Sequence, residues 1–133
     1  MTSAGAPMTV LVVDDDDDIR EALGLVLSDL GCPVIAARNG REGLELARAA
    51  KGGVHFVLLD LMMPVMSGWQ FLEERRRDPA LQALPVWVMT AARDATVEDA
   101  SVRGVLRKPI AYEELERVLA AVGKRPERVG EPA

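Results

Sequence analysis

The chain has 133 residues, of which 49% are hydrophobic and 28% are charged, a composition typical of one globular domain rather than a disordered chain. Its formal net charge of −5 at pH 7 disfavours a nucleic-acid partner, because proteins that bind nucleic acids usually carry a basic surface. One cysteine, Cys32, and one histidine, His55, exclude an internal disulfide, a paired-cysteine metal motif and a histidine-rich zinc cluster.

Short apolar runs alternate with amphipathic stretches along the chain. The runs are rich in β-branched residues, as in buried strands of a parallel sheet, and the stretches repeat apolar residues at helical spacing. In chain order, the predicted elements are strand 10–13, helix 19–30, strand 33–37, helix 39–50, strand 54–60, helix 67–78, strand 85–90, a short helix 95–101, strand 104–108 and helix 112–122. Five β–α units in series predict a doubly wound α/β domain with helices on both faces of the sheet.

The ends of several predicted helices carry recognisable signals. A capping residue followed three positions later by Glu or Gln predicts a helix start. Such pairs are Asp18 with Glu21, Asn39 with Glu42, and Ser67 with Gln70. We interpret the run of arginines at 75–77 as a solvated helix end.

The N-terminal stretch MTSAGAP lacks the basic and apolar segments of a signal peptide, and the apolar runs are too short to span a membrane. We therefore expect a cytoplasmic protein with no membrane partner. We also expect one domain over residues 8–123, with flexible termini at 1–7 and 124–133.

Polar side chains follow four of the five predicted strands. They are Asp14 and Asp15, Asp60, Thr90, and Lys108. Ligands of open parallel sheets bind at the carboxyl ends of the strands, so we expect these groups to converge. Clustered carboxylates repel one another unless a cation lies among them, and oxygen ligands favour Mg²⁺ or Mn²⁺.

The lysine and the hydroxyl suit an incoming phosphoryl group. Asp60 stands alone at its strand end, which makes it the natural nucleophile for an aspartyl phosphate, with Asp14 and Asp15 as metal ligands.

Four segments, in this order, closely resemble the receiver domain of response regulators in two-component signalling: LVVDDDDDIR, LLDLMMPVMSGWQFL, PVWVMTA and LRKPI. The resemblance covers residues 8–123 and implies a flavodoxin-like sheet of order 2-1-3-4-5. It implies that Asp60 is the phosphoacceptor, supplied by a sensor histidine kinase or a histidine phosphotransfer protein. It also implies that Asp14, Asp15, Asp60 and the main-chain carbonyl of Met62 hold Mg²⁺.

The same resemblance assigns further residues. Thr90 matches the switch hydroxyl that moves to the phosphoryl group, and Lys108 matches the lysine that pairs with it. The Lys108–Pro109 bond is cis in similar proteins. Pro64 and Gly68 match the loop that shapes the entrance to the site.

The chain departs from the family pattern at several positions. Val105 stands where receivers usually carry an aromatic side chain that turns inward with the threonine, so the switch position is degenerate. Lys108 follows Thr90 by 18 positions, which is short, so the fourth helix is expected to be clipped. Met62 and Ala92 carry non-polar side chains at positions that tune phosphate loss in similar proteins, which predicts a long-lived phosphoryl group.

The leading hypothesis is a stand-alone receiver, a phosphorylation switch or relay module that is not a metabolic enzyme. Its downstream protein partner would bind the face formed by the fourth helix, the fifth strand and the last helix. The alternative is a phosphate-independent pseudo-receiver scaffold, which Val105 and the short fourth helix leave open. A Mg²⁺-dependent phosphatase is disfavoured, because Met62 occupies the position of the usual general acid.

Overall fold

The computed structural model describes residues 8–91, 97 and 99–123. In chain order the elements are β1 (Val10–Val13), α1 (Asp17–Asp29), β2 (Val34–Ala37), α2 (Gly40–Ala49), β3 (Phe56–Asp60), α3 (Gly68–Arg76), β4 (Val86–Thr90), β5 (Val102–Arg107) and α4 (Tyr112–Gly123). All strand pairs are parallel and the sheet order is β2-β1-β3-β4-β5. The predicted doubly wound fold with order 2-1-3-4-5 is therefore confirmed.

The central strands are buried on both faces because helices cover both sides of the sheet. On β1, Leu11 and Val13 join a core cluster with α2 and α3, whereas Val10 and Val12 join a second cluster with α1 and α4. This alternation follows from the period of two in a strand. It explains why VLVV is apolar at every position.

Two of the three predicted capping patterns are confirmed. The Asn39 side chain accepts the N–H of Glu42, and Ser67 and Gln70 form a reciprocal capping box. The third prediction was wrong. Helix α1 begins at Asp17, and its N-cap is Asp16, whose extended backbone lets its carboxylate accept the N–H groups of Asp18 and Ile19.

The fifth strand begins two residues earlier than predicted and ends at Arg107. A turn in which the Val102 N–H donates to the Asp99 carbonyl leads directly into β5. Val86 then pairs with Val102 and Trp87 with Gly104, so Arg103 is an extra residue on the edge strand. The glycine at 104 therefore lies within the strand instead of starting it.

Some predictions fall wholly or partly outside the described residues. The termini 1–7 and 124–133 lie there, as do positions 95, 96 and 98 of the short helix predicted at 95–101. The described part of that segment, 97 and 99–101, is not helical, and 99–101 form the turn before β5.

The interpretation of the arginine run as solvated was wrong for Arg75. The residue is only 2% exposed, and its guanidinium donates to the Leu84 carbonyl from Nε at 3.0 Å and from Nη2 at 2.7 Å. Nη1 donates to Ser101 Oγ at 2.9 Å. Arg75 therefore ties the end of α3 to the segments that precede β4 and β5.

Within the described chain, none of the helices combines the length and apolar character that a membrane crossing requires.

Candidate functional site

The polar side chains predicted to converge do so at the carboxyl edge of the sheet. They line a cavity of about 550 Å³ that opens between the ends of β1, β3, β4 and β5. Its lining includes Asp14, Asp15, Asp60, Met62, Thr90 and Lys108. Six residues from four distant segments of the sequence thus surround one space, because parallel strands end at the same edge.

Three carboxylates form the acidic side of this cavity. Asp14, Asp15 and Asp60 each offer an oxygen, and these oxygens all lie within 4.8 Å of one another. Asp14 and Asp60 are buried, whereas Asp15 is exposed. The Asp16 N–H donates to Asp14 Oδ1 at 2.9 Å, which fixes one side of that carboxylate.

Lys108 supplies the positive charge of the site. Its Nζ lies 2.6 Å from Asp14 Oδ2 and 3.4 Å from Asp60 Oδ1. Burial alone would lower the pKa of Lys108, but the hydrogen bond and charge of Asp14, together with Asp60, raise it above its ordinary value. The lysine therefore stays charged at neutral pH and bridges two of the three acids.

Asp60 is the acid whose ionisation the site opposes. Burial and the nearby charge of Asp14 raise the pKa of Asp60 to about 6, although Lys108 and the Met62 N–H act in the opposite direction. The Met62 N–H donates to Asp60 Oδ1 at 3.3 Å. A carboxylate in this environment gains stabilisation from any additional cation.

The donor set fits a hard divalent cation. Lys108 pairs with only two of the three carboxylates, and oxygen ligands without histidine or cysteine are those preferred by Mg²⁺ and Mn²⁺. Asp14, Asp15 and Asp60 are the side chains that would hold it. Asp15, being exposed, leaves the cavity open to solvent and thus to water ligands.

In the loop between β3 and α3, Met62 lines the cavity, whereas Pro64 and Gly68 are not among its lining residues. Gly68 opens α3 directly against the end of β3, since a Cβ on Gly68 would lie 2.4 Å from the Asp60 carbonyl oxygen. The Gly68 N–H donates to the Leu61 carbonyl at 2.9 Å. In the same loop, the Met66 N–H donates to the Pro64 carbonyl at 2.7 Å. Val65, between these two residues, has a φ of 68°, which is unusual for a β-branched residue.

The ends of β4 and β5 form another wall of the cavity. Thr90 is buried, and its carbonyl accepts the N–H of Lys108 at 2.9 Å, so the two residues are held side by side. The Lys108–Pro109 bond is cis, as the sequence resemblance implied. Ala92, the second residue predicted to affect phosphate lifetime, lies outside the described residues.

Val105 does not belong to the cavity. It is 43% exposed on β5, where it lines a separate groove of about 510 Å³ between β5 and α4 with Trp87 and Gly104. The position that normally holds an aromatic side chain therefore carries a short one beside an open groove.

Sequence reasoning missed one basic residue close to the acids. Arg20 on α1 reaches back to the β1–α1 loop, where Nη1 donates to the main-chain oxygen of Asp14 at 2.8 Å. Its Nη2 pairs with the carboxylate of Asp17. The spacing of three between Asp17 and Arg20, at the start of the predicted helix, was the available signal.

Comparison with known proteins agrees with this geometry. The family model described as the response regulator receiver domain matches residues 10–120. The chain belongs to this family. Receiver domains act as signalling switches that interact with histidine kinases and downstream partners, and they bind Mg²⁺ at an acidic pocket.

Individual relatives support the same conclusion. Response regulator MprA of Mycolicibacterium vanbaalenii is 38% identical over 124 residues, which is 90% of this chain and 52% of MprA. The chain thus spans about half the length of this curated relative. The chemotaxis protein CheY4 of Vibrio cholerae is 31% identical with a TM-score of 0.76, covering 88% of this chain and 99% of CheY4.

A further solved structure bears on the metal. The response regulator TrrA of Thermotoga maritima, in complex with Mg²⁺ and BeF, is 26% identical with a TM-score of 0.75. The alignment covers 86% of this chain and 98% of TrrA.

Proposed function

We propose that this receiver domain is a phosphorylation switch or relay module in which Asp60 accepts a phosphoryl group in a Mg²⁺-dependent reaction. The observation that carries the proposal is the meeting of Asp60 with two further carboxylates and with the Lys108 ammonium. Those four charges match a dianionic phosphoryl group bound between a divalent cation and a lysine.

The reaction transfers a phosphoryl group between two nucleophiles. An Asp60 carboxylate oxygen attacks the phosphorus of a phosphohistidine in a sensor histidine kinase or a histidine phosphotransfer protein. The new oxygen–phosphorus bond forms as the nitrogen–phosphorus bond breaks, and the released imidazole takes up a proton. A bound Mg²⁺ would supply neutralisation of the charge that spreads over the phosphoryl oxygens.

The residues of this chain have separate tasks in that step. Asp14 and Asp15 would hold the metal with Asp60, and the main-chain carbonyl of Met62 would complete the protein ligands. Lys108 releases its ion pair with Asp60 and binds a phosphoryl oxygen, since its Nζ is only 3.4 Å from Oδ1. Thr90, held beside Lys108, donates its hydroxyl to another phosphoryl oxygen as the switch.

The output and the setting of the protein are also proposals. A downstream protein partner would read the state of the domain at the surface formed by β5, α4 and the segment before β5. The stand-alone arrangement, the cytoplasmic location and the lack of a nucleic-acid partner remain predictions.

A phosphate-independent scaffold is the second candidate, and the exposed Val105 favours it. Without an aromatic side chain at this position, a movement of Thr90 changes the exposed surface near β5 less. A phosphatase that turns over phosphate esters lacks support, because the exposed Met62 thioether has no proton to donate.

The test is phosphorylation by acetyl phosphate with Mg²⁺, followed by intact mass. We expect the gain of one phosphoryl group, which Asp60→Asn and a metal chelator each abolish. No gain in the wild-type protein, together with no Mg²⁺ binding, would establish the scaffold instead.

A further inference from the structure

We propose that Arg20 is a positioning residue that orients the Asp14–Asp15 segment for metal binding, an inference that rests on the proposed function. Its side chain is 15% exposed, although the helix around it is largely solvated. The guanidinium folds back from α1 over the loop that carries both acids, and its bond to Asp14 goes to the main chain instead of the carboxylate.

That bond acts on the peptide unit between the two metal acids. The peptide group is planar, so fixing the Asp14 carbonyl oxygen also fixes the plane from which the Asp15 Cα extends. The Asp14 carboxylate already has two partners, Lys108 Nζ at 2.6 Å and the Asp16 N–H at 2.9 Å. Asp15 is exposed, and the backbone that Arg20 holds sets the direction of its Cα–Cβ bond, from which the carboxylate reaches the metal site.

The contact with Asp17 does not by itself account for the burial of Arg20. Asp17 is 85% exposed, and ion pairs with solvated partners contribute little to stability. The pair instead keeps the guanidinium turned toward the loop, because one of its nitrogens binds the carboxylate while another binds the main chain. Groups that orient metal ligands typically affect metal affinity strongly when they are removed.

A positioning role and a simple charge effect of Arg20 predict opposite changes in Mg²⁺ affinity when the residue is removed. If Arg20 acted only as a cation beside three acids, its removal would make the site more negative and tighten Mg²⁺ binding. If Arg20 positions Asp15, its removal weakens Mg²⁺ binding even though the electrostatic attraction increases.

The experiment measures Mg²⁺ affinity by titration calorimetry for the wild-type protein, Arg20→Met, Arg20→Lys and Arg38→Met. Arg20→Met keeps the length of the side chain but removes its charge and donors, and Arg20→Lys keeps the charge and one donor group. Arg38→Met is the matched control, since Arg38 is 71% exposed, pairs with Glu42, and carries the same charge. Thermal unfolding of each variant checks that it is folded at the titration temperature.

We expect Arg20→Met to weaken Mg²⁺ binding about tenfold, Arg20→Lys to restore part of the loss, and Arg38→Met to leave the affinity near that of the wild type. Equal or tighter binding by Arg20→Met would overturn the positioning role while leaving the proposed function intact. Absence of Mg²⁺ binding in the wild-type protein would overturn both.

Discussion

At Asp60, burial and the nearby negative charge of Asp14 both raise the pKa of the carboxyl group. Its pKa is raised from 3.8 to about 6, so the folded protein favours the protonated form. A carboxyl with a raised pKa contributes stability that is present below about pH 4 and is lost as the pH rises through about 6. In the metal-free protein at neutral pH, the ionised Asp60 therefore lowers the free energy of unfolding.

Asp60→Asn should consequently stabilise the metal-free protein. At about pH 8 the gain is expected to be about 1–3 kcal/mol, because one pKa unit corresponds to about 1.4 kcal/mol, and the gain should shrink toward pH 4. Urea unfolding with a chelator present measures it. Glu45→Gln, which neutralises an exposed acid, should change stability little at either pH. A less stable Asp60→Asn protein at pH 8 would contradict the inference that the folded protein disfavours the ionised form of Asp60.

Met62 lies two residues after Asp60 and is an exposed residue in the lining of the cavity. Its side chain is 65% exposed and a thioether is a weak acceptor, so it does not hold an attacking water. We expect a phosphoryl lifetime of minutes or longer, and Met62→Asn to shorten it roughly tenfold by orienting water.

The lifetime is read from the decay of phosphorylated protein in intact-mass spectra after the phosphodonor is removed. Val65→Asn is the matched control, since it places the same amide on the same loop but outside the cavity lining. A wild-type lifetime of seconds would contradict this interpretation of Met62.

At the scale of elements, α3 is joined to the sheet at both of its ends. At its C-terminal end, the buried Arg75 donates to Leu84 and Ser101. Arg75→Met removes the guanidinium and leaves the Leu84 carbonyl and the Ser101 hydroxyl without this donor, so we expect it to destabilise the protein by about 2–4 kcal/mol.

Urea unfolding of Arg75→Met beside Arg76→Met provides the comparison. Arg76 is more than half exposed, so its loss should change stability by less than about 1 kcal/mol. Equal losses in the two variants would show that the burial of Arg75 contributes nothing.

At its N-terminal end, α3 approaches the sheet so closely that only glycine fits at position 68. Gly68→Ala must push the helix start away from the Asp60 carbonyl, and we expect it to lower both stability and the rate of phosphorylation by acetyl phosphate. Gly24→Ala on α1 is the control, because its new Cβ meets nothing within 4 Å. It should raise stability by about 0.5–1 kcal/mol, since alanine is favoured over glycine inside a helix. A Gly68→Ala protein that behaves like Gly24→Ala would refute the packing argument.

At the scale of the whole molecule, the sequence predicted what depends on local pattern. The parallel α/β sheet and the meeting of Asp14, Asp60 and Lys108 follow from buried apolar runs, four of which end in polar residues, whereas the strand order came from the family resemblance. Parallel strands bring such residues to one edge whatever the details of the helices. The cis Lys108–Pro109 bond came from resemblance alone.

The sequence did not predict features that depend on tertiary contacts. Arg75 resembles its neighbours in sequence, and only the positions of Leu84 and Ser101 make its burial possible. The early start of β5 depends on the extra residue Arg103, which arises from pairing with β4. The true cap of α1, Asp16, was one of several equivalent aspartates until the backbone fixed the helix start.

The central claim is that Asp60, among three adjacent carboxylates, receives the phosphoryl group. The most direct measurement is to phosphorylate the protein with acetyl phosphate and Mg²⁺, reduce the acyl phosphate with borohydride to homoserine, and locate the homoserine by peptide mass spectrometry. We expect homoserine at position 60 alone. Homoserine at position 14 or 15, or at no position of a protein that binds Mg²⁺, would contradict it.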